Sequence, residues 1–185
     1  MTVRHVSDTL ECAANASIAG RKDQMSNLLS FVIVGGGPTG VEFAAELSDF
    51  VKTEVAKCFP QLGSSVKLTL VEALPQVLNV FDRAIGDNVN HHLTKQGVRV
   101  LTNTAVKKVE KGVVTYGKKG EEPETLPYGT LVWVAGIGAR PITNMMRSAI
   151  GEAQNDRRGL VVDGCLRVKG TRENEVFAAR YLDVW

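Results

Sequence analysis

No run of apolar residues in this chain approaches the roughly 18 to 20 needed to cross a bilayer as a helix. Neither sign of charge prevails. There are 22 basic and 20 acidic residues, and the basic ones are scattered apart from the pairs Lys107-Lys108, Lys118-Lys119 and Arg157-Arg158, so no nucleic-acid surface is indicated. Cysteine is sparse: Cys12, Cys58 and Cys165 lie far apart, with no CxxC pair and no histidine at a ligand spacing. Neither a redox dithiol nor a metal site is indicated, and the expectation is reduced structural thiols. Internal repeats and low-complexity tracts are missing. The stretch from Met1 to Arg21 is mixed and carries Asp8 and Glu11, which suits a signal or transit peptide poorly. What is there is a globular composition, 44% apolar and 23% charged over 185 residues. That length builds one domain with a sizeable core but not two complete dinucleotide-binding domains.

The apolar periodicity is that of an α/β chain. Val6, Leu10 and Ala13 recur at helical spacing between Val3 and Ile18, and the small and charged residues of Ser17 to Ser26 then read as a surface loop. Leu28 to Val34 is a short run rich in β-branched residues, as expected of a strand buried on both faces. Gly40 to about Cys58 carries Val41, Ala44, Ala45, Leu47, Val51 and Val55 along one helix face. Val66 to Val71 is a second strand. Asp82 to Gln96 is a second helix with Ile85, Val89 and Leu93 as its buried stripe, and Val98 to Leu101 is a third strand beyond Gly97. Strand, helix, strand, helix, strand is a Rossmann-like βαβαβ unit with a parallel sheet and right-handed crossovers. Ala105 to Lys119 alternates as antiparallel hairpin strands, the start of a β-meander, and Leu131 to Ala135 is a further buried strand ending at Gly136. Beyond Pro141 a short helix and two strands, Leu160 to Val162 and Leu166 to Val168, are expected.

Gly35, Gly37 and Gly40 form a GxGxxG motif within the segment Gly35-Gly36-Gly37-Pro38-Thr39-Gly40, straight after a strand and straight before a helix. The first glycine permits the tight turn, the second lets the backbone approach a pyrophosphate, and the third lets the helix pack on the strand. The pyrophosphate would lie over the unpaired N–H groups and positive end of the helix that begins near Pro38. Without a ligand the same motif is a glycine-rich turn. Glu72 ends the second strand, where an acid accepts hydrogen bonds from the adenosine ribose hydroxyls and repels a 2′-phosphate, favouring NAD(H) over NADP(H). Glu42 stands near the helix start, either as an acid that stabilises its own helix through the dipole or as a site residue. Glu46 reads as a solvated helix charge. His91 and His92 have no partner at a metal or triad spacing and read as solvated.

The segment FVIVGGGPTGVEFAAELSDF, Phe31 to Phe50, resembles the type II (alternative, rotenone-insensitive) NADH dehydrogenases of the FAD/NAD-linked pyridine nucleotide-disulfide oxidoreductases. TLVEALPQVLNVFD from Thr69 to Asp82, LPYGTLVWVAGIGARP from Leu126 to Pro141, and LRVKG from Leu166 to Gly170 agree with it. The resemblance implies an NADH domain inserted in a split FAD domain, in an enzyme passing a hydride from NADH to FAD and two electrons to a membrane quinone. On that basis Gly35, Gly37 and Gly40 would cradle the NADH pyrophosphate and Glu72 would hold the adenosine ribose. Glu42 would face the nicotinamide and flavin contact region as the catalytic candidate, and Ala135 with Gly136 would form a backbone wall beside the dinucleotide. The resemblance also implies peripheral attachment to the mitochondrial inner membrane in a eukaryote, or to the cytoplasmic membrane face in a bacterium.

Three departures accompany it. Within these 185 residues no FAD glycine motif comes before Gly35, and after Val176-Phe177-Ala178-Ala179, where the family has Gly-Asp, stand Arg180-Tyr181. The family's C-terminal membrane-anchoring helices are likewise not among these 185 residues. The expected organisation is therefore residues 1–26 and 159–185 as remnants of a FAD domain around an NADH-binding domain at 27–158. Such a piece would bind NADH without turning over alone, and would self-associate through remnant surfaces. An NAD(H)-binding sensor or regulatory module is the alternative. A methyltransferase, which shares the glycine turn and strand-end acid, fits the close packing implied by Gly40 and the VWVAG strand less well.

Overall fold

The structure, a computed structural model, describes residues 3–136, 138–156 and 159–179. The chain forms two compact units, residues 1–135 and 136–185. The first contains helices α1 (Val3–Ile18) and α2 (Lys22–Leu28), strand β1 (Ser30–Val34), and α3 (Pro38–Phe50). A wide π turn (Val51–Val55) and the short helices α4 (Ala56–Cys58) and α5 (Pro60–Gly63) follow. Then come β2 (Lys67–Val71), α6 (Arg83–Lys95), β3 (Val98–Leu101), β4 (Ala105–Glu110), β5 (Val113–Gly117), β6 (Glu124–Pro127) and β7 (Thr130–Trp133).

Two sheets result. Strands β3, β2, β1 and β7, in that order, form an all-parallel sheet, and β4, β5 and β6 form an antiparallel meander. This is the α/β architecture expected of the βαβαβ pattern. Every side chain of β1 is buried, which is why its sequence, SFVIV, shows no polar alternation. Phe31 and Ile33 on one face join Leu68 and Leu70 of β2 in a core with Ala44 and Leu47 of α3 and Leu93 of α6. Val32 and Val34 on the other face join Val71 of β2 and Val114 of the meander, with Val106 and Leu126 packed alongside. Helices thus cover one face of the parallel sheet and the meander the other, and a fully buried side chain such as Phe31 or Leu70 contributes about 1.5–3 kcal/mol.

Several expectations required correction. Ser17 to Ser26 is not a continuous surface loop, because α2 occupies Lys22–Leu28 and Met25 and Leu28 pack against the core. Packing of two partly buried side chains three residues apart outweighs a locally polar composition. Val6, Leu10, Ala13 and Ala14 of α1 lie in that same core, whereas Ile18, at the helix end, stands 84% exposed. On α6, which Asp82 caps by accepting the Ala84 N–H at 2.8 Å, the buried line runs through Gly86, Val89 and Leu93 while Ile85 is exposed. The helix turns Gly86 inward because its backbone approaches the Val77 carbonyl so closely that a Cβ there would lie 2.8 Å from that oxygen. Strand β7 is an edge strand, half-buried at Leu131 and Val132, and Trp133 is exposed.

The second unit begins beyond Ala135 and contains α7 (Pro141–Ile150), which has proline at its first position and ends at Gly151. Leu160 to Val162 and Leu166 to Val168 do not form ladders. An isolated bridge joins Val162 to Val168, and a second joins Arg167 to Phe177 further along the chain. Buried Gln154 organises this segment: its Oε1 accepts the Val161 N–H at 2.7 Å, and its Nε2 donates to the carbonyls of Lys169 at 2.7 Å and Val161 at 3.1 Å. Asp163 accepts the backbone N–H of Cys165 and both the N–H and Nε of Arg167, whose guanidinium also pairs with Glu173 at 3.1 Å.

Candidate functional site

Because all four strands of the central sheet run parallel, their carboxyl ends lie on one edge, the edge at which open α/β sheets bind ligands. Val34 is paired with Val71 on one side and Trp133 on the other, so the chain leaves β1, β2 and β7 at the same level. That register brings Gly35, Glu72 and Val134-Ala135 together. Gly35 donates its N–H to the Val71 carbonyl and Val134 donates to Val34, each at 2.9 Å.

Gly35 has φ +115°, a backbone conformation L side chains rarely adopt, and a Cβ there would lie 2.8 Å from the Ala135 nitrogen. Gly40 is constrained by space instead: its Cβ would fall onto the Gly35 carbonyl oxygen and 3.1 Å from Val134 Cγ2. These are the tight turn and the close helix packing expected of the first and third glycines. Gly37 differs from both, since nothing lies within 4 Å of the position its Cβ would take. It is the N-cap of α3, without a side-chain cap, and Pro38 follows at the first helical position. The first intrahelical bond runs from Val41 to the Gly37 carbonyl at 3.0 Å, so the N–H groups of Thr39 and Gly40 precede the hydrogen-bonded register. An open surface over uncapped N–H donors at a helix start fits an anionic pyrophosphate.

Glu72 is half-buried and committed to the loop. Its Oε2 accepts the N–H of buried Gly36, and its Oε1 accepts the Leu74 N–H at 2.7 Å. The carboxylate therefore holds the glycine turn before any ribose is considered. Its backbone bridges β3, donating to Leu101 at 2.8 Å and accepting from Thr104 at 2.9 Å. Ala135 is fixed by the Trp133 indole, which donates to its carbonyl at 2.9 Å. Gly136, with φ +71°, opens the second unit.

Glu42 is exposed on α3, at the fifth helical residue and beyond the first turn, where the dipole effect has faded. Its reading as a dipole-stabilised acid is thereby corrected. Glu46, His91 and His92 are exposed as expected, and no group of side chains suited to a metal ion occurs among the described residues. The three cysteines are free and exposed, so they do not serve in packing.

Sequence patterning missed the segment from Ala73 to Asp82. Leu78, at φ +52°, donates its N–H to the Gly36 carbonyl at 2.7 Å, and Val77 beside it is fully buried. A leucine in the left-handed region has no sequence signature, since glycine or asparagine is what such a position normally advertises.

Comparison with known proteins agrees with this geometry. The chain is 41% identical over 149 residues to an external alternative NAD(P)H-ubiquinone oxidoreductase, B2, of Arabidopsis thaliana mitochondria, an overlap of 80% of this chain and 25% of that protein. It is 40% identical over 166 residues to the external alternative NADH-ubiquinone oxidoreductase of Yarrowia lipolytica mitochondria, covering 88% of this chain and 28% of that protein. The chain thus spans about a quarter of the length of these relatives. The structure of NDH2 from Plasmodium falciparum in complex with NADH superposes with a TM-score of 0.83 at 27% identity, over 94% of this chain and 35% of that one. The resemblance to type II NADH dehydrogenases is borne out, and no helix among the described residues is long and apolar enough to cross a membrane. The family pattern named pyridine nucleotide-disulphide oxidoreductase matches residues 5–179, nearly the whole length, and the chain belongs to that family.

Proposed function

We propose that this chain is the NADH-binding portion of a type II NADH:quinone oxidoreductase, with the NADH domain at 27–158 and segments of a split FAD domain at 1–26 and 159–185. The observation that carries this reading is the convergence of Gly35 to Gly40, Glu72 and Ala135 at the carboxyl ends of three adjacent parallel strands. Thr39, Gly40 and the open side of Gly37 receive the pyrophosphate, with Gly36 and Pro38 shaping the turn. Glu72 takes the adenosine ribose and disfavours a 2′-phosphate, and Ala135 with Gly136 walls the dinucleotide. Glu42 lies toward the nicotinamide. When bound, NADH would supply a hydride; in a parent enzyme a flavin would accept it, and the two electrons would go on to a membrane quinone. FAD is not matched by the residues present, because the family's Gly-Asp is replaced by Arg180-Tyr181. The role proposed for this chain's own residues is to bind and orient NADH.

The parent works at a membrane surface, in a eukaryote the mitochondrial inner membrane. Ile142, Met145, Leu166 and Phe177 are exposed in the second unit, and we expect them to promote self-association of the isolated chain. A monomer by light scattering at high concentration overturns that expectation.

Titration of the chain with NADH, NADPH and FAD, followed by nicotinamide fluorescence and thermal unfolding, tests the assignment. NADH at a hundredfold its Kd should add about 2.7 kcal/mol of stability, NADPH should bind more weakly, and FAD should have no effect. Absence of any response to NADH refutes the reading.

A further inference from the structure

The peptide that leads into the open glycine is held by a residue outside the glycine motif. The Gly36 carbonyl accepts the Leu78 N–H at 2.7 Å, and the Gly36 N–H is taken by the Glu72 carboxylate. All peptide bonds described are trans, so N–H and C=O of one peptide unit point in opposite directions. With its carbonyl fixed on Leu78, the Gly36–Gly37 unit turns the Gly37 N–H to the other side. With its N–H fixed on Glu72, the Gly35–Gly36 unit likewise turns the Gly35 carbonyl toward Gly40, where a Cβ has no space.

Leu78 reaches this position only in the left-handed region, at φ +52°, where a leucine is strained. The segment around it supplies the restraint. Val77 is fully buried and its carbonyl lies against Gly86 of α6, the Phe81 N–H returns to the Leu78 carbonyl at 2.8 Å, and the Leu74 carbonyl accepts Asn103 N–H at 2.9 Å.

We propose that Leu78 is a positioning residue for the dinucleotide site: its left-handed backbone presents the N–H that orients the Gly36–Gly37 peptide, and so aims the Gly37 N–H at the pyrophosphate. This rests on the NADH-binding reading. It is the backbone conformation at position 78, not the leucine side chain, that carries the effect. A β-branched residue resists positive φ, whereas asparagine and glycine accept it.

The test uses the 185-residue chain and its Leu78→Val, Leu78→Asn and Leu78→Gly variants, titrated with NADH and with ADP-ribose, which keeps the pyrophosphate and lacks the nicotinamide. Leu78→Val should weaken both ligands by the same factor, about tenfold, as expected for one lost bond to a charged group. Leu78→Asn and Leu78→Gly should bind both within about twofold of the parent chain, well inside the effect of one such bond. Equal affinity in all three variants, or equal weakening in all three, overturns the proposal while leaving NADH binding by the parent chain intact. Failure of the parent chain itself to bind NADH overturns the functional reading and this inference with it. Should Leu78→Val not fold, amide exchange on the unsubstituted chain decides: the Leu78 N–H should exchange more slowly than those of exposed Asn79 and Val80, and more slowly still under saturating NADH. Equally fast exchange at all three overturns the proposal.

Discussion

Replacing Gly40 with alanine drives a methyl group into the Gly35 carbonyl and to 3.1 Å from Val134 Cγ2. The first obstacle is backbone, at a turn held by Gly35 to Val71 and by Gly36 to Glu72, so α3 must move off the sheet to admit it. Overpacking of this kind costs about 3 kcal/mol or more, and the better helix propensity of alanine returns at most about 1 kcal/mol. The net loss of about 2 kcal/mol lowers the melting temperature by about 4 to 8 °C for a chain of this size. Gly37→Ala is the matched comparison. Its backbone, φ −73° and ψ −179°, suits any residue, and its Cβ enters open space. At an N-cap the exchange costs about 0.5 kcal/mol, which is near the noise of a thermal scan. In the proposed NADH site that methyl group would occupy the surface that receives the pyrophosphate, so NADH affinity should fall about tenfold or more. Thermal unfolding of both variants without ligand, then NADH titration, gives the comparison. A Gly40→Ala protein as stable as the parent refutes the packing argument. A Gly37→Ala protein that binds NADH normally refutes the placement of the pyrophosphate.

Glu72→Ala should destabilise the chain by about 1–3 kcal/mol even without nucleotide, because the buried Gly36 N–H loses its acceptor; an unchanged melting temperature would count against the clamp. Burial, then the bond donated to Glu124 at 2.8 Å, holds the Tyr116 phenol above its ordinary value of 10.0. The neutral phenol is thus favoured by folding: its stabilisation is intact below pH 10.0 and lost as the pH rises through the higher folded value. Tyr116→Phe should flatten that alkaline limb. The backbone N–H and then the side chain of Arg167 hold Asp163 below 3.8, so its contribution is present above pH 3.8 and fades as the pH falls through the lower folded value. Asp163→Asn should flatten the acid limb in urea titrations, and an unaltered slope would remove the pair from the stability argument.

The glycine loop, the acid ending β2 and the strand leading to Ala135 were legible in the chain because each depends on local chemistry. Gly35 needs positive φ and Gly40 needs the absence of a Cβ, and only one residue type satisfies either demand. The buried parallel strands were legible for a similar reason, since burial on both faces removes polar alternation. What covers each face, the edge position of β7, the helix at Lys22–Leu28 and the inward turn of Gly86 on α6 were decided by packing between distant segments. Leu78 is the sharpest case. Its left-handed backbone is contrary to its residue type and exists only because buried Val77 and the nearby Gly86 hold the segment against the glycine turn. Local chemistry can write a turn into a sequence, but a conformation that local chemistry opposes becomes visible only when the rest of the fold imposes it.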